Sequence, residues 1–278
     1  MTSFAHAINP VRVPQSSDLF VAQPITFETM RVAKAFAHSI DVSLHAVAFE
    51  EDLPFAPADF VPARLLERSV LDLGEFKRSR KLPILRDILE RLAEASDAEY
   101  LVYSNVDIAV QPQFYLALEG IIRQGFDGFA VNRRTVEQSG ATIADIPILS
   151  SMVGEPHPGW DCFVFRRCAL QNFSLGNVCI GASGVGRALL WDIAASSTNF
   201  CVFKDLHLTY HIGDDRVWSD AEFKDYADHN AREAASGLSR LVGNTGCGTR
   251  LDTLDIIGRN PLFRAVLEEA SRAHILYR

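Results

Sequence analysis

Apolar runs of strand length alternate with longer amphipathic segments over the first half of the chain. Runs of this kind with polar residues at both ends are typical of buried parallel strands, whereas apolar residues spaced three and four apart indicate helices. The strand candidates are residues 4–8, 42–49, the start of 98–108, and 125–131. The helix candidates are residues 26–38, 64–74, 81–92 and 111–123.

This alternation predicts an α/β fold with a mainly parallel, Rossmann-type central sheet flanked by helices. The second half of the chain does not continue this alternation of strands and helices. It contains a loop-rich stretch at 135–156, a strand at 162–166, a glycine-rich turn at 181–186 and a helix at 187–195. Residues 219–242 read as a polar helix, and Asn260-Pro261 opens another. We expect a domain over 1–218 and a C-terminal helical extension, 219–278, packed on the same domain.

The stretch 98–108 is the centre of the prediction, because it ends in Ser104-Asn105-Val106-Asp107. Ligands of open α/β sheets bind beyond the carboxyl ends of the strands, which is where Asn105 and Asp107 would lie. A carboxylate there, with the phosphates of a bound nucleotide, can hold Mg²⁺ or Mn²⁺. The alternative is a turn in which either side chain only caps the backbone.

Composition narrows the range of partners. The 278-residue chain carries a formal net charge of -8, which argues against binding to nucleic acid or anionic membranes. It contains no long apolar run for a transmembrane helix and no signal-peptide pattern at its start. Its five cysteines are scattered and form no C-x-x-C pair. These features predict a cytoplasmic protein, whose oligomeric state they leave open.

Two further clusters contain residues suited to chemistry. His207 to Trp218 includes His211, Asp214 and Asp215, and His211 is a candidate metal ligand. The stretch His157-Pro-Gly-Trp160-Asp161 places an aromatic ring and a carboxylate before an apolar strand. Such a pair suits a sugar, and Asp161 could take a proton from a hydroxyl acceptor. Both clusters are equally compatible with a loop histidine, a core tryptophan and a turn-capping aspartate.

Four cations lie at the ends of predicted elements near the central strand, where they would suit a diphosphate. They are Lys81, Arg86, Arg133 and Arg134. Ordinary surface charge is the competing interpretation, above all for Arg134. The glycine-rich turn at 181–186 matches neither a dinucleotide-binding nor a Walker motif, so it predicts only a turn into a helix.

Together these residues resemble a nucleotide-sugar-dependent glycosyltransferase of the GT-A fold. The resemblance implies that Asn9 and Glu51, after the first two strands, contact the donor. It also matches the family's D-x-D metal motif to residues 105–107, with Asn105 in place of the first Asp. In several families of this fold a late histidine precedes a glycine and a tryptophan, as His211 does here.

The predicted function is therefore transfer of a sugar from a UDP- or GDP-type donor to a carbohydrate or other hydroxyl acceptor. Asp107 and His211 would hold Mn²⁺ or Mg²⁺, and Asn9, Glu51, Lys81, Arg86 and Asn105 would contact the donor with Asp107. His157, Trp160, Asp161 and Asp214 would bind the acceptor, with Asp161 as the catalytic base. Two alternatives remain open, a nucleotidyltransferase and a non-catalytic nucleotide-sugar-binding protein of the same fold.

Overall fold

The computed structural model describes residues 2–136, 140–157, 159–213 and 221–245, and in 242–245 it describes the backbone only. The strands are β1 (Ser3–Ile8), β2 (Asp41–Ala46), β3 (Val61–Pro62), β4 (Tyr100–Ser104), β5 (Ile108–Val110), β6 (Gly128–Val131), β7 (Arg133–Val136), β8 (Glu155–Pro156), β9 (Cys162–Arg166), β10 (Phe200–Phe203) and β11 (Thr209–Ile212). The α-helices are α1 (Asp18–Phe36), α2 (Leu85–Ala95), α3 (Phe114–Arg123), α4 (Ile146–Ser151), α5 (Val185–Ser196) and α6 (Lys224–Thr245).

The described residues group into two compact units, which we treat separately. The first contains β1 to Glu67, Ile88–Cys168 and the chain from Thr198 to the end of β11. The second contains Arg68–Asp87, Ala169–Ser197 and the described residues from Ala221 onward. The expected boundary at residue 218 falls outside the described residues and stays a prediction.

A seven-stranded sheet in the order β10-β6-β9-β4-β1-β2-β3 forms the centre of the first unit. All neighbouring strands pair parallel except β9, which runs antiparallel to both β4 and β6. Parallel neighbours need crossover connections, and α1 joins β1 to β2 in this way. The predicted fold class, a mainly parallel sheet with flanking helices, is confirmed.

Helices α1 and α3 cover one face of this sheet. Phe27 and Met30 of α1 and Phe114 and Leu118 of α3 belong to the same buried apolar cluster as side chains of β1, β2, β4, β6 and β9. Every residue of β4 is buried. A strand covered in this way reads as a continuous apolar run, which is why the sequence pattern located β4.

A second, four-stranded sheet in the order β5-β11-β7-β8 belongs to the same unit. Strand β11 pairs antiparallel with β5 and parallel with β7, and β7 pairs antiparallel with β8. Its apolar cluster includes Ile25 of α1, Leu149 of α4, and Ala109, Val136 and Tyr210 of the strands. Helix α1 therefore contributes to the cores of both sheets.

The chain passes between the two sheets at four places. These are residues 105–107 between β4 and β5, Asn132 between β6 and β7, 157–161 between β8 and β9, and 204–208 between β10 and β11. We call these four connections the sheet junction. Two of them, 105–107 and 157–161, contain residues that the sequence singled out for chemistry.

The second unit has its own small core. Val70, Leu82, Ile84, Cys179, Phe223 and Tyr226 form its buried apolar cluster. Asn230 fixes the chain there, because its Oδ1 accepts from the Cys179 N–H at 2.8 Å and its Nδ2 donates to the Cys179 carbonyl at 2.9 Å. Helix α6 begins at Lys224 after a short 3₁₀ turn, which confirms the polar helix predicted over 219–242 for its described part.

Several predicted elements differ from the structure. Helix α1 begins at Asp18 rather than Thr26, because Ser17 caps it by accepting the Leu19 N–H, and Pro24 is accommodated within it. Residues 64–74 contain one 3₁₀ turn, Val70–Asp72, instead of a helix. Strand β2 ends at Ala46, so Glu51 lies in an exposed turn beyond it.

Two further observations concern the cysteines and the apolar character of the helices. The four cysteines in the described residues are free thiols. Among the helices of the described ranges, none combines the length and apolar character needed to cross a membrane.

Asp192 of α5 predicts a pH-dependent stability. Burial raises the pKa of Asp192 to about 7, against the opposing effects of the Ser174 N–H bond and the charges of Arg86 and Arg240. The unfolded-state pKa is about 3.9, so the folded state binds the proton more tightly. The stabilising effect of that proton is present below about pH 4 and is lost as pH rises through 7.

Asp192→Asn mimics the protonated acid, so its free energy of unfolding should not fall as an Asp192 carboxyl ionises. Between pH 5 and pH 8, we expect the free energy of unfolding of wild type to fall by about 2 kcal/mol relative to that of Asp192→Asn. Urea unfolding at both pH values measures this difference. Asp41→Asn, on an exposed residue of β2, is the control and should follow wild type. Parallel pH dependence of wild type and Asp192→Asn would contradict the assignment.

Candidate active site at the sheet junction

The pairing of β9 brings three junction connections together. Cys162 lies opposite Ser104 of β4 and opposite Val131 of β6. Asp161, one residue earlier, therefore lies beside Asn105 on one side and Asn132 on the other. The Asn105 N–H donates to the Asp161 carbonyl at 3.2 Å, which extends the β4–β9 ladder into the junction.

The Asp161 carboxylate has a partner on each oxygen. Its Oδ1 accepts a hydrogen bond from Asn105 Nδ2 at 3.1 Å, and its Oδ2 lies 3.1 Å from Arg133 Nη1. His157 Nδ1 is 3.9 Å from the same Oδ2. Burial raises the pKa of Asp161 above its ordinary value, although the charge of Arg133 opposes this, and the charge of Asp107 adds to it.

A second carboxylate, Asp107, faces His211 from β11. His211 pairs with Ile108 of β5, so its ring reaches the residue just before that strand. His211 Nε2 lies 3.1 Å from Asp107 Oδ2, and His211 Nδ1 lies 2.6 Å from the Gly213 carbonyl. A carbonyl oxygen only accepts, so Nδ1 carries a proton, and in the neutral ring the lone pair of Nε2 points at the carboxylate.

This geometry suits a cation between Asp107 and His211. Two acceptors facing each other need a proton or a metal ion, and a histidine that donates its other N–H to a carbonyl is a common metal ligand. Asp107 Oδ1 is buried and has no hydrogen-bond partner among the described residues. Within the described ranges, no group of three or more His, Cys, Asp or Glu side chains gathers to hold a metal. The described residues would therefore supply two ligands to a cation at this place, Asp107 and His211.

The two aspartates differ in their electrostatics. Burial alone would raise the pKa of Asp107, but the hydrogen bond and charge of His211, with the charge of Arg133, outweigh it, so this pKa is lowered. The pKa of Asp161 is raised. A pair of carboxyl groups whose pKa values are pushed in opposite directions is suited to two different roles.

Asn105 bridges the end of β4 to Asp161. Tyr103 donates its hydroxyl to Asn105 Oδ1 at 3.2 Å, while Asn105 Nδ2 donates to Asp161. The end of β4 is also held by a buried hydrogen bond between Ser104 Oγ and His6 Nε2, which are 2.9 Å apart. The amide of Asn105 is therefore directed towards Asp161.

The polar atoms in or beside the junction that are buried and lack a hydrogen-bond partner within the described residues include Asn132 Oδ1, Arg133 Nε and Trp160 Nε1. Buried polar groups are normally paired, so a cluster of unpaired ones is what a polar ligand would satisfy. One acceptor and two donors fit a molecule with hydroxyl groups.

Other residues predicted to bind the donor have different surroundings. Asn9 is buried after β1 and donates to the Val47 carbonyl at 2.7 Å. Arg86 donates to the carbonyls of Phe173 and Leu175 within the second unit, and its predicted contact with a diphosphate stays a prediction. Glu51 lies in an exposed turn, and its predicted contact with the donor likewise stays a prediction.

The remaining predicted residues divide into two groups. Lys81 is exposed on a segment of the second unit, and Arg134 donates to the carbonyls of Val153 and Gly154. Asp214 and Trp218 lie outside the described residues, as does Pro158 of the 157–161 connection.

The sequence did not indicate the role of Tyr103 or the partner of Arg133. Tyr103 was read only as part of an apolar strand, although an aromatic hydroxyl two residues before Asn105 lies on the same side of the strand. Arg133 was expected to contact a diphosphate, whereas it forms an ion pair with Asp161. Only the pairing of β9 between β4 and β6 reveals that contact.

The Arg133–Asp161 pair predicts a coupled loss of stability. Both side chains are largely buried, at 12% and 15% exposed. Arg133→Gln leaves Asp161 without its cation, and we expect a loss of about 3 kcal/mol at pH 8. The loss should shrink at pH 5, because protonation relieves the isolated carboxylate.

Denaturant unfolding of Arg133→Gln, Asp161→Asn and the double variant measures the coupling. The double variant should be more stable at pH 8 than Arg133→Gln alone. Arg123→Gln, which removes an ion pair from a guanidinium 73% exposed, is the control and should cost about 0.5 kcal/mol or less. Additive effects of the two junction substitutions would contradict the prediction.

Comparison with known proteins gives a limited likeness. No protein-family model and no curated protein matches the chain. S. aureus TarS 1-349 in complex with UDP-GlcNAc matches with a TM-score of 0.46 and 10% identity, over 98% of this chain and 81% of that one. Glucosyl-3-phosphoglycerate synthase from Mycobacterium tuberculosis in complex with Mn²⁺, UDP and phosphoglyceric acid matches with a TM-score of 0.44 and 16% identity, over 86% and 78%. Likenesses of this strength assign neither a reaction nor a ligand to this chain.

Proposed function

We propose that this chain is a glycosyltransferase that moves a sugar from a nucleotide-diphosphate sugar to a hydroxyl acceptor with the help of a divalent cation. The observation that carries the proposal is the Asp107–His211 pair at the sheet junction. Its two facing acceptors, 3.1 Å apart, form half of a cation site beyond the carboxyl end of β4.

A site with two ligands among the described residues is compatible with a phosphate-bearing substrate. Mg²⁺ and Mn²⁺ sites commonly combine one or two protein ligands with oxygen atoms of a substrate phosphate. When bound, the cation stabilises the charge that develops on the departing diphosphate. Asp107, with its lowered pKa, stays ionised for this role over the neutral range.

Asp161 is suited to accept the proton of the acceptor hydroxyl. Its raised pKa brings it closer to neutrality, where a carboxylate is a more effective general base. The ion pair with Arg133 favours the ionised form in which it can act. The two aspartates would thus have different roles. Asp107 would hold the cation on the donor side, and Asp161 would accept the proton on the acceptor side.

The unpaired buried atoms around Asp161 support binding of the acceptor at the same place. Trp160 Nε1 and Arg133 Nε offer donors, and Asn132 Oδ1 offers an acceptor. A site that leaves polar groups unpaired until a hydroxylated ligand arrives discriminates strongly against ligands that lack those hydroxyls. Trp160 and His157 would bind the acceptor with Asp161.

Donor binding tests the proposal. We expect one UDP- or GDP-sugar to raise the melting temperature of the full chain only when Mn²⁺ is present, since a ligand specific to the native state stabilises it. Calorimetry should then show donor binding weakened by about tenfold or more, about 1.4 kcal/mol, in Asp107→Asn and in His211→Ala.

Asp41→Asn and His38→Ala, both at exposed positions, are the matched controls and should bind the donor as wild type does. Transfer or slow hydrolysis of the donor completes the assignment. Pyrophosphate release from a nucleoside triphosphate would favour nucleotidyl transfer, and chelator-insensitive binding without turnover would favour a binding protein. Full donor binding and turnover in Asp107→Asn would overturn the proposal.

A further inference from the structure

Asn105 occupies the position that the GT-A resemblance assigned to a donor or metal contact, yet both ends of its side chain are engaged inside the protein. We propose that Asn105 is a positioning residue, which holds the Asp161 carboxylate in place for proton transfer and makes no contact with the cation. This inference rests on the proposed function and gives Asn105 a different role within it.

The contacts define the direction of the amide. Asn105 Nδ2 donates to Asp161 Oδ1 at 3.1 Å, and Asn105 Oδ1 accepts from the Tyr103 hydroxyl at 3.2 Å. A flipped amide would place its NH₂ group against the hydroxyl and its carbonyl against the carboxylate, where both atoms are acceptors. Tyr103 is buried, and it therefore acts as a fixed anchor.

The backbone adds a second link between the same two residues. The Asn105 N–H donates to the Asp161 carbonyl at 3.2 Å, and the Ile108 N–H donates to the Asn105 carbonyl at 3.1 Å. Asn105 is thus held by the turn that follows it and by the strand opposite. A residue fixed at these points transmits its position to the carboxylate it contacts.

Charge explains why an amide suits this position. An aspartate here would place a carboxylate oxygen about as far from Asp161 Oδ1 as Asn105 Nδ2 is now, at 3.1 Å. It would also add a third negative group to a largely buried site that already contains Asp107 and Asp161. Like charges at this separation cannot all ionise, so one carboxylate would hold a proton.

The arrangement leaves one Asp161 oxygen for chemistry. Oδ1 is occupied by Asn105, whereas Oδ2 faces Arg133 and makes no hydrogen bond within the described residues. In the proposed transfer the acceptor hydroxyl gives its proton to Oδ2. The oxygen of that hydroxyl forms the new bond to the anomeric carbon of the donor sugar. The bond between this carbon and the diphosphate oxygen breaks, and its electron pair leaves with the diphosphate.

The charged groups that face Asp161 are Arg133, His157, Asp107 and His211. The hydrogen bond from Asn105 lowers the pKa of Asp161, so its removal should raise that pKa further. We expect Asn105→Ala to move the Asp161 titration, followed by carbon-13 NMR of the carboxyl group, upward in pH. The acid limb of the pH profile of kcat/KM should move in the same direction.

The rate measurements follow hydrolysis or transfer of the UDP- or GDP-sugar that raises the melting temperature of the chain in the presence of Mn²⁺. Asn105→Ala should lower kcat about tenfold or more and leave the Kd of the donor within about twofold. In the Asp161→Asn background the same substitution should have little further effect, because a positioning residue acts only through the group it positions. Tyr103→Phe should reproduce the loss in weaker form.

Asn105→Asp separates the two roles most sharply. A donor or metal contact predicts tighter Mn²⁺ binding in this variant, whereas positioning predicts a lower kcat without a gain in Mn²⁺ affinity. Asn172→Ala, at an exposed position, is the matched control and should leave every readout unchanged.

The outcomes are distinguishable from failure of the proposed function. An unmoved Asp161 titration in Asn105→Ala overturns the inference whether or not the chain turns over a donor. Additive rate losses with Asp161→Asn, or weakened donor binding in Asn105→Ala, also overturn it. A wild-type chain that neither binds nor turns over a donor overturns the proposed function, while the titration still decides whether Asn105 controls Asp161.

Discussion

The position of β9 between β4 and β6 is the constraint on which the junction depends. Because β9 is antiparallel to both neighbours, Cys162 meets Ser104 and Val131 at the same level. A slip by one residue would turn every side chain of β9 to the opposite face of the sheet and displace Asp161 from Asn105. The observed register places Asp161 beside Asn105 and Arg133.

The small sheet supplies the other half of the site by the same means. Strand β11 lies between β5 and β7, which sets His211 next to Asp107 and leaves Arg133 at the start of β7. Each buried carboxylate thereby gains a basic partner, His211 for Asp107 and Arg133 for Asp161. Buried charges are tolerated when paired in this way, and the differences between the two pairs give the aspartates opposite pKa shifts.

The sequence predicted β1, β2, β4, β6 and β9 of the large sheet, because their buried apolar runs are visible without any knowledge of neighbours. It predicted neither β3 and β10 nor the small sheet. In the small sheet, β5 has three residues, and β7 and β11 have four each that include polar side chains, so none forms an apolar run of strand length. Because the sequence does not predict β7, it places Arg133 at the end of a strand that faces a diphosphate. It does not indicate the contact between Arg133 and Asp161.

The candidate site was predicted in the same uneven way. Local patterns point to Asn105, Asp107, His157 and Asp161, since short polar runs at the ends of buried strands are visible in the sequence. The contact between Asp107 and His211 joins residues 104 positions apart. The cluster around His211 indicates a candidate metal ligand, and the family resemblance pairs it with Asp107. Lys81 and Arg86 belong to segments of the second unit, and their predicted contact with the donor stays a prediction.

The amide at position 105 links these observations to the chemistry. With Asn105 committed to Asp161, the described residues at the junction offer the proposed cation two ligands, Asp107 and His211. Two protein ligands bind Mg²⁺ or Mn²⁺ weakly, and a donor diphosphate would supply the oxygen atoms that complete the shell. Under the proposed function, cation and donor therefore bind with positive coupling, because each supplies contacts that the other needs. The same amide that holds the acceptor-side base would make occupation of the cation site dependent on the donor.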